Sequence, residues 1–222
     1  MGRLIVVGDI HGCHVALQTL LNRWQLQRAD QLVVLGDAID RGPQSRQVLN
    51  LLVELDDSCQ LTFVLGNHEE MLLDVLAGER PDTWLHHGGA ATLESYGGDL
   101  TDIPERHLEL LGRAVDYWES PTTICIHANL EPGVALVDQS PHWLRWQRLT
   151  GMEYPHPSGK MVLCGHTGQR SGLPLVGDGW ICLDTLAFAG KFLTCLEVNT
   201  GRFLQANQIG GFREFTLNEL TG

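Results

Sequence analysis

Hydrophobic and polar positions fall into two regimes along the chain. In the first half, short apolar runs alternate with longer stretches of helical spacing. Arg3–Val7, Gln31–Leu35 and Leu61–Leu65 read as strands, and His14–Trp24, Gln44–Leu55 and Glu69–Leu76 read as helices. Strands alternating with helices imply βαβ units and parallel pairing. Asp9, Asp37 and Asn67 follow the three strands at intervals of 28 and 30 residues, about one such unit each. A more helical region comes next, where Leu111, Ala114, Val115 and Trp118 sit at i, i+3, i+4, i+7 and predict a packed helix face. The remainder is strand-rich: Thr122–Ile126, Met161–Cys164, Leu173–Val176, Trp180–Leu183, Phe192–Val198 and Arg202–Ala206 are candidates. Gly177-Asp178-Gly179 and Asn199-Thr200-Gly201 read as hairpin turns, so pairing here should be mixed or antiparallel. The expected fold is α/β, with two packed mixed β-sheets flanked by helices.

Composition narrows the class. With 222 residues, no internal repeat and no linker, one domain spanning residues 1–222 is expected. Hydrophobic residues make up 43% and charged residues 19%, enough to build a core and too little charge for a disordered chain. The net charge of −12 argues against bulk binding to a nucleic-acid backbone. The apolar run near Met1 is only four residues long and meets Asp9, and no stretch reaches membrane-spanning length. A soluble, cytoplasmic protein without membrane contact is expected. The six cysteines (13, 59, 125, 164, 182 and 195) form no CxxC pair and read as buried thiols of a reducing compartment.

The chemistry lies at the ends of the apolar runs. Val7-Gly8 leads into Asp9 and His11, Leu35-Gly36 into Asp37, and Leu65-Gly66 into Asn67 and His68. Ile126 is followed by His127, and Cys164-Gly165 by His166. Five strands thus each deliver a metal-type ligand where they leave the core, which is where open α/β sheets place their sites. A mixed nitrogen and oxygen set suits manganese, iron or zinc better than calcium or magnesium.

Gly8-Asp9-Ile10-His11-Gly12, Gly36-Asp37-Ala38-Ile39-Asp40-Arg41-Gly42 and Gly66-Asn67-His68-Glu69 resemble the GDxHG, GDxxDRG and GNHE motifs of the phosphoprotein-phosphatase family of calcineurin-like metallophosphatases, in its bacterial and phage serine/threonine branch. His127 and Gly165-His166 stand where that family has its two later histidines, and Asp184-Thr185 also resembles its bacterial members. The resemblance covers about residues 8 to 167. It implies two divalent ions, manganese first in vitro, with iron or zinc as alternatives. Asp9 and His11 would hold one ion, Asp37 would bridge, and Asn67, His127 and His166 would complete the other. A water between the ions would then attack phosphorus in line. By the same resemblance His68 is the general acid, with Asp40 fixing its tautomer. Arg41 is the phosphate clamp. The stretch Leu144-Arg145-Trp146-Gln147-Arg148 resembles LxWxR, which points to Arg148 as the second substrate-binding arginine, with Arg145 close by as the alternative.

Two departures from the family pattern, His127-Ala128-Asn129 and Asp184-Thr185-Leu186, remove no ligand but reshape the rim. The remaining histidines, His86 and His87 among them, fit no ligand pattern, although His86-His87-Gly88-Gly89 could border the substrate cleft. Cys164 and Arg170 have the C-x₅-R spacing of cysteine-dependent phosphatases, but His166 and Thr167 within it already belong to the metal pattern. Ser158-Gly159-Lys160 lacks the rest of a P-loop. The expected activity is dimetal-dependent phosphoester hydrolysis on phosphorylated protein or a small phosphoester. Serine/threonine protein phosphatase activity, extending to dual specificity, is the first expectation. A dinucleoside tetraphosphatase or an RNA-end or 2′,3′-cyclic nucleotide hydrolase is the alternative, and a metal-stabilised phosphate-binding scaffold is the non-catalytic one.

Overall fold

The computed structural model describes residues 2–221. Its first half runs β1 (Leu4–Val7), α1 (His14–Trp24), β2 (Gln31–Val34), α2 (Ser45–Asp56), β3 (Gln60–Phe63) and α3 (Asn67–Leu76). A short α4 (Asp82–Trp84) leads through a kinked turn, Leu85–Gly89, in which Gly88 takes φ 110°, into α5 (Ala90–Ser95) and α6 (Glu105–Gly112). Then come β4 (Tyr117–Glu119), β5 (Thr123–Ile126), α7 (Pro141–Arg145), β6 (Met161–Cys164), β7 (Leu175–Gly177) and β8 (Trp180–Cys182). The chain closes with β9 (Leu193–Glu197), β10 (Arg202–Ala206), β11 (Phe212–Thr216) and α8 (Leu217–Thr221).

Two sheets form, as the alternation implied. One has the order β11-β10-β9-β1-β2-β3 and the other β4-β5-β6-β8-β7. β1, β2 and β3 pair in parallel, as do β5, β6 and β8, while the pairs made by β4, β7, β9, β10 and β11 are antiparallel. The last three strands therefore complete the sheet begun by the first three. The apolar runs are continuous because both faces are buried. Val6, Val33, Leu196 and Phe203 meet Leu163 and Ile181 between the sheets. Ile5, Val7 and Val34 point to the other face, against α1 and its neighbours.

On α1 the buried residues are Ala16, Leu17, Leu20, Leu21 and Trp24, one stripe at helical spacing. Leu17 is fully buried in that stripe. Leu17→Ala should cost about 2–5 kcal/mol of unfolding free energy, read from urea titrations, since the cavity left can only partly collapse. At the base of β1, Asp30 accepts from the Arg3 amide (2.9 Å), Arg3 Nη2 (2.5 Å) and the Gln27 amide (2.8 Å). The Arg3 hydrogen bond, above all, holds the Asp30 carboxyl down at about 2. Its folded value lies below the ~3.9 of an unfolded chain, so its stabilisation is present above about pH 4 and lost as pH falls toward 2. The Tm gap between the wild type and Asp30→Asn should therefore narrow on acidification from pH 6 to pH 2.

Three sequence readings change. The stretch from Leu111 to Trp118 is not a helix face. α6 ends at Gly112, Val115 bridges to Val64 with its amide on Phe63 O (2.9 Å), and Trp118 lies on β4. The i+3, i+4 spacing there arose from a helix end followed by an apolar strand. The strand expected at Leu173 begins at Leu175. β11 carried no clear apolar signal, because Phe212–Thr216 interleaves Arg213 and Glu214 at a sheet edge. All six cysteines are free and buried. Cys164 sits on β6 with its thiol pushed well up by contact with Cys182 and by burial, the reverse of what a nucleophilic cysteine needs.

Candidate functional site

Six parallel strands end at one rim of the sandwich, and each end is followed by a polar side chain. β1 gives Asp9 and His11, β2 gives Asp37, β3 gives Asn67 and His68, β5 gives His127, β6 gives His166 and β8 gives Asp184. All are buried except His166, which is partly so. The backbone bends sharply here. His11, Asp37, Asp40, Arg41 and His166 all adopt positive φ (44°, 49°, 70°, 64° and 59°), a strained region for side-chain-bearing residues that clusters at functional sites. Gly36, at φ 94°, must be glycine twice over, because an added Cβ would stand 2.6 Å from the Gly66 nitrogen.

Backbone carbonyls set the orientation of three imidazoles. His11 Nδ1 donates to Ile39 O (2.8 Å), His127 Nδ1 to Leu35 O (2.7 Å) and His166 Nε2 to Trp146 O (3.0 Å). The second nitrogen of each ring is then a lone pair facing the site, which is how metal-ligating histidines are oriented. Burial pushes all three rings below the ordinary histidine range, favouring the neutral, ligating form; His166 falls to about 3. Candidate donor atoms of His11, Asp37 and His68 lie within 4.8 Å of one another, and so do those of Asp37, His127 and His166. Asp37 belongs to both groups. Asn67 Oδ1 lies 3.1 Å from His127 Nε2 and 3.0 Å from His166 Nδ1. Acceptors crowded face to face in this way fit one or more cations between them, so the donor set suits divalent metal.

Asp9 stands in neither of those groups. Its carboxylate accepts the His166 amide (3.2 and 3.0 Å). Burial, and then the neighbouring Asp184, push its carboxyl well above the usual range, while burial raises Asp184 itself to about 6. Two buried carboxyls side by side are a further demand for positive charge. The Asp37 loop is held from below by Glu69, whose carboxylate accepts the amides of Asp37 (2.8 Å), Ala38 (2.8 Å) and Ile39 (3.3 Å).

His68 is different from the other three rings. Its Nδ1 meets a carboxylate, Asp40 Oδ2, at 2.7 Å, and its Nε2 is buried with no hydrogen-bond partner. Burial opposes a charge on this ring, yet Asp37 and Asp40 together hold it above the ordinary histidine range. Arg41 is exposed, with Nη1 3.1 Å from His11 Nε2 and its guanidinium over Phe188. The two later arginines part company. Arg145 is engaged by Glu70 and Asp116, whereas Arg148 is exposed and close enough to depress His166 and Asp184. His87, which fitted no ligand pattern in the sequence but stood in a stretch that could border the cleft, lies with its ring centroid 6.4 Å from that of His68.

Sequence reasoning left Asp184 without a role, although a strand ending in Asp was the same signal it used five times. Glu69 had a motif but no assigned task. Trp84 and Thr92, which touch Asp40, had no local signal at all.

Comparison with known proteins agrees with this geometry. Residues 2–170 match the calcineurin-like phosphoesterase family. The chain belongs to that family. Among curated relatives of this phosphoesterase, serine/threonine-protein phosphatase 1 of Salmonella typhimurium (strain LT2) is 46% identical over 85 residues, covering 38% of this chain and 38% of that protein. The symmetrical bis(5′-nucleosyl)-tetraphosphatase of Coxiella burnetii (strain Dugway 5J108-111) is 34% identical over 130 residues, covering 57% of this chain and 42% of that protein. The match thus spans well under half of either relative. A crystal structure described as a candidate diadenosine tetraphosphatase superposes with TM-score 0.72 at 21% identity, covering 97% of this chain and 93% of that one, which establishes the shared fold. The family resemblance and the two-sheet sandwich read from sequence are both borne out. Among the described residues no helix is long and apolar enough to cross a membrane.

Proposed function

We propose that this phosphoesterase is a protein phosphatase acting on phosphoserine and phosphothreonine. The observation that carries the hydrolytic reading is the pairing of a crowded donor set around Asp37 with a histidine whose buried Nε2 has no partner. Asp9, His11, Asp37, Asn67, His127 and His166 would hold two divalent ions, manganese in vitro and iron or zinc as alternatives. When bound, the ions supply Lewis-acid activation of the phosphoryl group and of water. Arg41 and Arg148, both exposed at the rim, would bind phosphoryl oxygens through guanidinium forks. His68 would give its Nε2 proton to the leaving oxygen, and Asp40 would keep the proton on Nδ1.

The substrate reading is supported by the ground beside the site. A cleft of about 390 Å³ lies against α3 and α4, with Asp74 and Glu79 on its wall beside Arg80, Trp84 and Trp146. Acidic walls on a chain of net charge −12 suit a polypeptide better than a polyanionic tetraphosphate. The second reading, a dinucleoside tetraphosphatase, is favoured by the Coxiella relative and by the solved structure of closely similar length.

A substrate panel with Mn²⁺ and EDTA controls separates them. It would compare phosphoserine, phosphothreonine and phosphotyrosine peptides, diadenosine tetraphosphate, 2′,3′-cyclic nucleotides and p-nitrophenyl phosphate. The highest kcat/KM on phosphopeptides is the expected result. The highest value on diadenosine tetraphosphate would transfer the function to nucleotide hydrolysis. Activity that survives EDTA would sink the metal-dependent reading altogether.

A further inference from the structure

The groups that hold Asp40 come from a segment carrying none of the ligand or arginine motifs. Trp84 Nε1–H, at the end of α4, donates to Asp40 Oδ1 (3.1 Å) and Oδ2 (3.0 Å). Thr92, on α5, donates from Oγ1 to Asp40 Oδ1 (2.7 Å) and accepts the Asp40 amide (2.8 Å). Ser45 Oγ closes the ring, 2.9 Å from Thr92 Oγ1 and 3.1 Å from the Asp40 nitrogen. With His68 Nδ1–H on Oδ2, the carboxylate accepts from three side-chain donors. Asp40, His68, Thr92 and Ser45 are fully buried, and Trp84 is 1% exposed, so water cannot replace any of these bonds.

The connecting turn, kinked at Gly88, is shaped for this contact. A Cβ on Gly89 would stand 2.3 Å from the Trp84 indole, so the ring can lie against the backbone only where glycine stands. Gly88 O in the same turn accepts the Arg41 amide at 3.1 Å. One segment therefore grips both Asp40 and Arg41.

An imidazole next to a carboxylate that can swing has no fixed tautomer; one next to a carboxylate held by two further donors does. We propose that Trp84 and Thr92 are positioning residues for the phosphoester hydrolysis: by locking the Asp40 carboxylate they fix His68 so that its Nε2 faces the departing oxygen. The proposal rests on the reading of His68 as proton donor. In that step water adds to phosphorus and the phosphorus–oxygen bond to the leaving group breaks. The leaving oxygen takes the Nε2 proton, the proton lost by the attacking water passes to solvent, and Nε2 is reprotonated from solvent once the products have left. The Nδ1 proton stays on His68 throughout, held by the Asp40 carboxylate.

The test uses the full-length, Mn²⁺-loaded enzyme and two esters that differ in their need for a proton. An alkyl ester such as phosphoserine leaves as a strong base, while p-nitrophenyl phosphate leaves as a weak one. Trp84→Phe and Thr92→Val each remove a donor; valine keeps the shape of threonine, and phenylalanine keeps an aromatic ring, of smaller volume, at position 84. Each should lower kcat on phosphoserine by about 10- to 100-fold, as loss of an orienting partner does, with KM and the p-nitrophenyl phosphate rate little changed. Thr92→Ser, which keeps the hydroxyl, should restore the alkyl-ester rate. In the zinc-loaded chain, which is diamagnetic, the His68 Nδ1–H resonance should stand in the wild type and Thr92→Ser and broaden in the other two variants. Equal losses on both esters, or no loss on either, would overturn the proposal. His68→Asn run alongside keeps the two readings apart. If it discriminates between the esters while Trp84→Phe and Thr92→Val do not, the positioning role alone fails. If His68→Asn treats the esters alike, His68 is not the donor and the positioning role falls with it.

Discussion

Asp37→Asn should empty the site and stop turnover in one step. Asp37 is the one residue shared by both groups of candidate donor atoms. Its carboxylate lies 3.5 Å from His11 Nε2 and 3.4 Å from His127 Nε2. Those rings are pushed toward neutrality by burial, so the fixed negative charge between them must come from carboxylate. An amide at this position offers a single acceptor oxygen and no charge, so it holds two cations far more weakly than a carboxylate does. Lewis-acid stabilisation of a phosphoryl transition state is worth several kcal/mol, and each 1.36 kcal/mol is a decade in rate. The expected fall in kcat is therefore on the order of 10³-fold or more. Metal content after gel filtration should drop from two ions per chain to one or none. A second readout is independent of turnover: Mn²⁺ should raise the Tm of the wild type by binding the folded state and leave that of the variant nearly unchanged. A variant that keeps two ions would contradict the bridging role, whatever its activity.

The candidate donor set was legible because it obeys a local rule. A buried strand that exits through glycine into Asp, Asn or His leaves a short signature, and β1, β2, β3 and β6 each wrote it with a glycine in place. β5 wrote it without one, through Ile126 into His127. Parallel pairing then forces those ends to one rim, so the fold class and the convergence follow together. The surroundings of Asp40 obey no such rule. Trp84 and Thr92 stand 44 and 52 residues further along the chain, in short helices joined by a kinked turn, and nothing in their spacing points back to Asp40. Long-range polar contacts of this kind are set by tertiary packing alone. The same holds for the choice between Arg145 and Arg148. The end of α7 at Arg145 leaves Arg145 against Glu70 and Asp116 and Arg148 exposed near His166, and no local pattern showed that difference. The misread helix at Leu111–Trp118 failed for the opposite reason: a local rule was satisfied by chance, where one element ended and another began.

His68→Asn should separate chemistry from metal binding. The structure leaves His68 with two competing environments. Its Nε2 lies among the candidate donors, 3.9 Å from Asp37 Oδ2, while its Nδ1 is held by Asp40 at 2.7 Å. A ligand would be expected to anchor its second nitrogen on a neutral or charged acceptor just as His68 does, so geometry alone permits either use. Electrostatics favours the acid. His11, His127 and His166 are pushed below the ordinary range, as lone-pair ligands should be, whereas Asp37 and Asp40 hold His68 above it despite its burial. A ring that stays protonated can give a proton and cannot bind a metal through the same nitrogen. The variant should therefore keep both ions and lose about 10²- to 10⁴-fold in kcat on an alkyl phosphoester, the usual worth of a general acid. The loss should be much smaller on p-nitrophenyl phosphate, whose leaving group departs without a proton, and KM should move little because Arg41 and Arg148 are untouched. Loss of one ion on substitution would place His68 in the ligand set instead, and the proton for the leaving oxygen would have to come from another group at the rim, such as His87, whose ring lies 6.4 Å from that of His68.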